Sequence, residues 1–189
     1  MALVGVLGPL ELARPDGGTV RLASARQRRL LAALVLHAGA PVEADLLAEL
    51  VWGEPLPADP MGALQTNVAR LRRVLPAPLM IETASRAYRL LAEPAHVDVL
   101  VFTGYVERAV TAGPQEQVAL LDTALGLWRG RPFSDLDHPA VAPEVSRLEE
   151  LRASALERRA GALLALGRAA EAVSALEGLV LAEPLRESA

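Results

Sequence analysis

The chain has 189 residues, a formal net charge of −4, no cysteine and 52% hydrophobic residues, enough for one domain or two small ones with real cores. Without cysteine there is neither a disulfide framework nor a thiol nucleophile. No basic-then-apolar leader opens the chain and no uncharged run is long enough to cross a bilayer, so it reads as a soluble, cytoplasmic protein.

The opening, "LVGVLGPLELARPDGGTVRL", predicts short strands at Leu3–Leu7, Leu10–Arg14 and Thr19–Leu22, with "PDGG" as a turn. Ser24 followed by Gln27 matches a capping box for a helix that Gly39 closes, with Leu30, Leu31, Leu34 and Val35 on its apolar side. A second, shorter helix fits "EADLLAELVWG". The third starts at Asp59 as N-cap with Pro60 in the first turn. At about 100° per residue its Leu64, Val68, Leu71 and Leu75 form a narrow buried stripe. Gly62, Thr66, Ala69, Arg70 and Arg73 fall opposite; Gln65, Asn67 and Arg72 flank it. "LMIETASRAYRLL" then predicts two strands around a turn near Ser85. His37, near the end of the first helix, reads as a partner for its C-terminal dipole.

Charge is unevenly distributed. Residues 1–95 hold 10 arginines against 9 acids, and residues 96–189 hold 9 against 14. Neither half is basic enough to demand nucleic acid, and all-arginine usage reflects GC-rich coding. Between Pro60 and Ile81, however, lie three arginines and no acid, a local positive patch. Small strands, three helices with the last exposed and cationic, and a closing hairpin are the plan of a winged helix-turn-helix. The third helix carries the guanidinium, amide and hydroxyl groups that major-groove reading needs. Alone, the same helix would also fit a solvated amphipathic segment.

The second half predicts helices at "DVLVFTGYVERAVTAG", "PQEQVALLDTALGLWRG", from about Ala140 to Leu166, and at "RAAEAVSALEGLVLAE", with Gly113, Gly130 and Gly167 as stops. Small residues in "ALLALGRAAEAVSALEGLVLAEP" suit close helix pairs of tetratricopeptide type, without a clean 34-residue period. The fold class expected is therefore mainly α with a small β component: a winged helix over residues 1–93 and a tetratricopeptide-like all-α bundle over 94–189. The end at "PLRESA", where another helix should begin, reads as an incomplete bundle.

In order and spacing, "GPLEL", "RQRRLLAALVLHAGAPV", "LLAELVWGEPLPADP", "LQTNVARLRRVL", "YRL", "DVLVFTGYVERA", "ALGLWRGRPFSDL", "RLEELRASALERRAGALLALGR" and "EPLRE" resemble the SARP regulators (Streptomyces antibiotic regulatory proteins), which join an OmpR-type winged helix to a bacterial transcriptional activator domain. The resemblance implies activation of an antibiotic gene cluster: binding as a homodimer or side-by-side pair on promoter direct repeats in double-stranded DNA, and recruitment of RNA polymerase through its sigma factor. By the same resemblance the helix at 61–75 is the recognition helix. Arg70 matches an arginine used toward bases; Gln65, Thr66 and Asn67 occupy other groove-facing positions, with Ala69 on the same outer side; Arg72 and Arg73 suit phosphates. Trp52 matches a tryptophan whose indole N–H donates to a phosphate, or else packs as a core aromatic. Arg86 sits at the wing tip, where an arginine enters the minor groove. Two departures stand out. Ala87-Tyr88 replaces the usual Gly-Tyr of the wing, which would strain a positive-φ turn there, and Met61-Gly62 replaces a polar pair.

An enzyme is not expected. His37, His96 and His138 are dispersed, no phosphate- or dinucleotide-binding glycine motif occurs, and "DLDHP" at 135–139 is more simply a loop and helix cap than a metal site. No cofactor or metal is implied. The competing reading is a protein-interaction scaffold that uses the acidic helical half without touching DNA.

Overall fold

A computed structural model describes residues 2–174; the last part of the predicted final helix and the "EPLRE" motif lie outside the described residues. The chain forms two compact units, one of Met1–Leu100 with Arg129–Val145 and one of Val101–Trp128 with Ser146–Ala189. The segment Arg129–Val145, far downstream of residue 93, thus folds with the N-terminal unit.

That unit opens with an antiparallel pair, β1 (Val4–Gly5) and β2 (Glu11–Leu12), followed by an isolated Ala13–Thr19 bridge around the "PDGG" turn. The three longer strands read from the pattern are not formed, and for the first two the physical reason is visible in their donors. The amides of Val6 and Leu7 donate to the buried Asp98 carboxylate at 2.8 and 3.1 Å, and that of Leu10 donates to Asp135 at 2.7 Å. Side-chain acceptors from elsewhere have replaced ladder partners.

Arg129 Nη2 donates to the same Asp98 carboxylate at 2.9 Å, and Nη1 to the Pro9 carbonyl at 2.9 Å. A Cβ on Gly5 would stand 2.2 Å from Arg129 Nη2, so only glycine lets the guanidinium lie against β1. Burial pushes the Asp98 carboxyl above its ordinary range, against the pull of the Val6 and Leu7 amides and of Arg129. Asp135 also accepts from Arg28 Nε at 2.8 Å, which fixes the start of the first helix. Phe133 holds a φ of 52°, a conformation costly for an aromatic residue. Its ring is buried and its N–H donates to the Val6 carbonyl at 2.7 Å.

Three helices follow. α1 (Ala25–Leu36) begins as its sequence predicts: Ser24 Oγ accepts from the Gln27 amide at 3.3 Å, while Gln27 Oε1 accepts from the Ala23 amide at 2.9 Å, one residue before the usual capping-box partner. His37 is its C-cap and Gly39, at φ 83°, turns the chain. A short strand not foreseen from the pattern, β3 (Val42–Glu43), precedes α2 (Ala44–Trp52), which Gly53 ends at φ 65°. α3 (Pro60–Val74) has Asp59 as N-cap, accepting from the Gly62 amide at 2.9 Å. Leu64, Val68 and Leu71 are at most 1% exposed and pack the helix on the core; Leu75, the fourth of the predicted stripe, is the half-buried C-cap.

β4 (Met80–Ala84) and β5 (Ala87–Leu91) form the wing hairpin around Ser85-Arg86, and the sheet order is β3-β5-β4. Positive φ falls on Ser85, at 52°, and not on Ala87, which pairs with Ala84 and with Glu43 in the ladders. The strain expected at Ala87 therefore sits two residues earlier, in the loop that must reverse the chain.

The second unit is helical, built on α4 (Asp98–Ala109), α5 (Pro114–Leu125) and α6 (Ala142–Ala165), of which α4 and α6 each begin in the first unit. Phe102 and Trp128 meet edge to face at 5.3 Å, with the Arg152 guanidinium 4.9 Å above the indole. Gln117 Nε2 donates to the Ala109 carbonyl at 2.7 Å, and Arg159 pairs with Asp122. The small side chains Ala160, Ala162 and Ala172 cluster with Val118 and Leu163, the close approach that their size permits.

Candidate nucleic-acid interface

The site is the outer surface of α3 together with the wing tip. Gln65, Thr66, Ala69, Arg70 and Arg73 are exposed on α3, and Arg86 is exposed in the two-residue loop. Among the described residues no hydrogen bond or ion pair engages the guanidinium groups of Arg70, Arg73 or Arg86, so their charge is presented to solvent. Thr66 Oγ1 donates back to the Gly62 carbonyl at 2.9 Å, leaving its lone pairs and methyl outward. Glu82, the carboxylate nearest in sequence on β4, is bonded to Arg89 directly across the ladder. It therefore leaves the arginines of α3 unneutralised.

Three sequence expectations change in detail. Asn67 does not face the groove side: it is 9% exposed, and its Nδ2 donates to the Ala63 carbonyl at 2.8 Å. Its position about 70° from the centre of the apolar stripe is close enough for neighbouring packing to cover it. Arg72 is exposed but spends donors inside the fold, Nε on the Ile81 carbonyl at 3.0 Å and Nη2 on Thr83 Oγ1 at 2.6 Å. Trp52 closes α2 half-buried, neither a full core aromatic nor a free one. Gly62, a departure in the sequence, gains a reason: a Cβ there would lie 2.1 Å from Asp59 Oδ2 and push the cap out of place.

Sequence reasoning missed the carboxylates that hold the N-terminal hairpin. "DLDHP" is occupied in this way: Asp135 accepts from Leu10 and Arg28, and His138 Nδ1 accepts from the Ala140 amide at 3.2 Å, capping a short 3-10 turn. A lone aspartate in a polar loop carries no periodicity from which a distant partner can be read.

A trihelical core with an antiparallel wing, turning a cationic helix face outward, defines a winged helix-turn-helix, a class of DNA-binding regulators. The comparisons agree. The family model "Transcriptional regulatory protein, C terminal" matches residues 17–90, and "Bacterial transcriptional activator domain" matches residues 97–189. The chain is 40% identical over 188 residues to the regulatory protein AfsR of Streptomyces coelicolor, covering 97% of this chain and 19% of that protein. It is 30% identical over 200 residues to the regulatory protein DnrI of Streptomyces peucetius, covering 98% of this chain and 73% of that one. With the transcriptional regulator RedD of S. coelicolor it shares 34% identity, over 97% of this chain and 55% of that protein. A solved structure, Mycobacterium tuberculosis EmbR in complex with a low affinity phosphopeptide, superposes with a TM-score of 0.85 at 31% identity, over 97% of this chain and 51% of that one. The chain belongs to the SARP family of transcriptional regulators, which are not enzymes. It spans only a fifth of AfsR and about half of RedD and of the EmbR chain. Among the described residues no helix is long and apolar enough to cross a membrane.

Proposed function

We propose that this chain is a cytoplasmic, sequence-specific transcription activator that binds direct repeats in the promoters of a secondary-metabolite gene cluster and recruits RNA polymerase through its sigma factor. Two copies sit side by side on adjacent repeats. The observation that carries the reading is the outer face of α3, where Arg70 and Arg73 have no hydrogen-bond or ion-pair partner among the described residues and stand beside Gln65 and Thr66. A helix bearing guanidinium and amide groups on one exposed side fits the major groove, and those groups address base edges and phosphates. Arg86 at the wing tip reaches the neighbouring minor groove, and Trp52 donates from the end of α2 to a phosphate.

The test is a gel-shift titration at low salt with promoter fragments from the gene cluster surrounding its own gene, followed by footprinting. The expected result is a retarded complex, with a second band as the second repeat fills and a footprint over both repeats. No retarded complex at low salt would leave the helical unit as a protein-interaction scaffold.

A further inference from the structure

The guanidinium of Arg72 bridges two elements that the proposed interface needs in fixed relation. Its Nε donates to the Ile81 carbonyl at 3.0 Å and its Nη2 to Thr83 Oγ1 at 2.6 Å. Both acceptors lie on β4, the edge strand of the sheet β3-β5-β4, the position where strand carbonyls stand without a ladder partner on one side. Side chains on a strand alternate between faces. Thr83 therefore turns its hydroxyl toward α3, while Glu82, between the two acceptors, turns to the other face and pairs with its cross-strand neighbour Arg89. The acceptors that hold Arg72 are thus neutral, and the tie leaves its positive charge in place.

We propose that Arg72 is a positioning residue, a latch that fixes the wing against the recognition helix and so sets the spacing between the Arg70 side chain and the wing-tip Arg86. Arg72 lies two residues from Arg70 on α3, and Thr83 is three residues from Arg86. One forked side chain therefore joins the roots of both contact points. Lysine cannot reproduce it, because an ammonium on a flexible stem lacks the planar pair of donors set by the Nε and Nη2 geometry. This inference rests on the DNA-binding reading for its role, but the latch itself can be tested without DNA.

In the full chain, hydrogen exchange of the amides at 82–88 should accelerate by about three- to tenfold in Arg72→Ala and in Thr83→Val, the loss expected for one side-chain hydrogen bond. Valine keeps the β-branch, so the strand itself is preserved. Unchanged exchange in both variants would overturn the proposal, whether or not the protein binds DNA. On a promoter fragment, Arg72→Lys and Thr83→Val should each weaken specific binding by about three- to tenfold with the wild-type salt slope. Arg86→Ala should cost less in the Thr83→Val background than alone, the coupling expected of joined sites. Wild-type binding by Arg72→Lys, together with a slope lowered by about 0.9 in Arg72→Ala, would make Arg72 a phosphate contact and end the latch. If the wild-type protein shifts no promoter, the DNA-binding reading fails while the exchange measurement still decides the latch.

Discussion

Arg70 and Arg73 are chemically identical and lie on the same exposed side of α3, yet their expected effects differ. A base contact discriminates and a phosphate contact does not. Arg70→Ala should therefore lower specific affinity by about 1 to 3 kcal/mol and relax preference at one base position, leaving random DNA less affected. Arg73→Ala should weaken both and flatten the salt dependence by roughly 0.9 per lost phosphate contact. Titrations on specific and random duplexes at several salt concentrations separate the two, and equal losses on both duplexes for Arg70→Ala would remove its reading role. At this scale the periodicity of Leu64, Val68 and Leu71 made the exposed set legible. It failed for Asn67 and Arg72, which lie on either side of the stripe, because the fate of a flanking residue depends on which neighbour packs beside it. Asn67 satisfies its amide within the helix and Arg72 finds β4.

Among the elements, the wing shows what local sequence can and cannot specify. Two strands around a turn follow from "LMIETASRAYRLL", but the residue that takes positive φ is set by the register Ala84–Ala87, which leaves Ser85-Arg86 as a two-residue loop. Two-residue hairpins need positive φ in the loop and favour glycine there. Serine at φ 52° carries a left-handed penalty. Ser85→Gly should accordingly stabilise the protein by about 1 kcal/mol, read as a raised urea midpoint with unchanged slope; a lowered midpoint would show that the Ser85 side chain contributes more than its backbone costs. The starts of α1 and α3 were legible because a cap is a local event: Ser24 with Gln27, and Asp59 with Pro60, satisfy orphan amides within a few residues. β3 was not, since two residues cannot show alternation and their pairing with β5 is nonlocal.

For the whole molecule, the N-terminal hairpin depends on residues far along the chain. Asp98, Arg129 and Asp135 supply or align the acceptors for the amides of Val6, Leu7 and Leu10. Two of the three lie beyond Leu100, in the segment that rejoins the first unit. A chain cut after residue 96 loses all of them. Relative to residues 1–145 it should lose about 3 kcal/mol or more of stability, because stranded buried amides cost roughly 1 to 3 kcal/mol each. Urea unfolding of the two fragments checks this, with free exchange of the Val6, Leu7 and Leu10 amides as the local signature. Equal midpoints would show that water replaces these carboxylates without cost.

Local patterning was enough for the core of each described helix, for the caps that open α1 and α3, for the burial of Leu64, Val68 and Leu71, and for the acid-free cationic stretch, all of which act between residues a few positions apart; the stop expected at Gly130 was not, because α5 already ends at Leu125 with Gly126 as its C-cap. The sequence also carried, through the order of its motifs, the family. That Asp98 and Asp135 replace strand partners, that Arg72 turns to β4, and that the chain returns after Arg129 to complete the first unit came from the folded arrangement alone. Each of these matches a donor to an acceptor that no spacing along the chain relates, and the match exists only once the backbone has brought the two together.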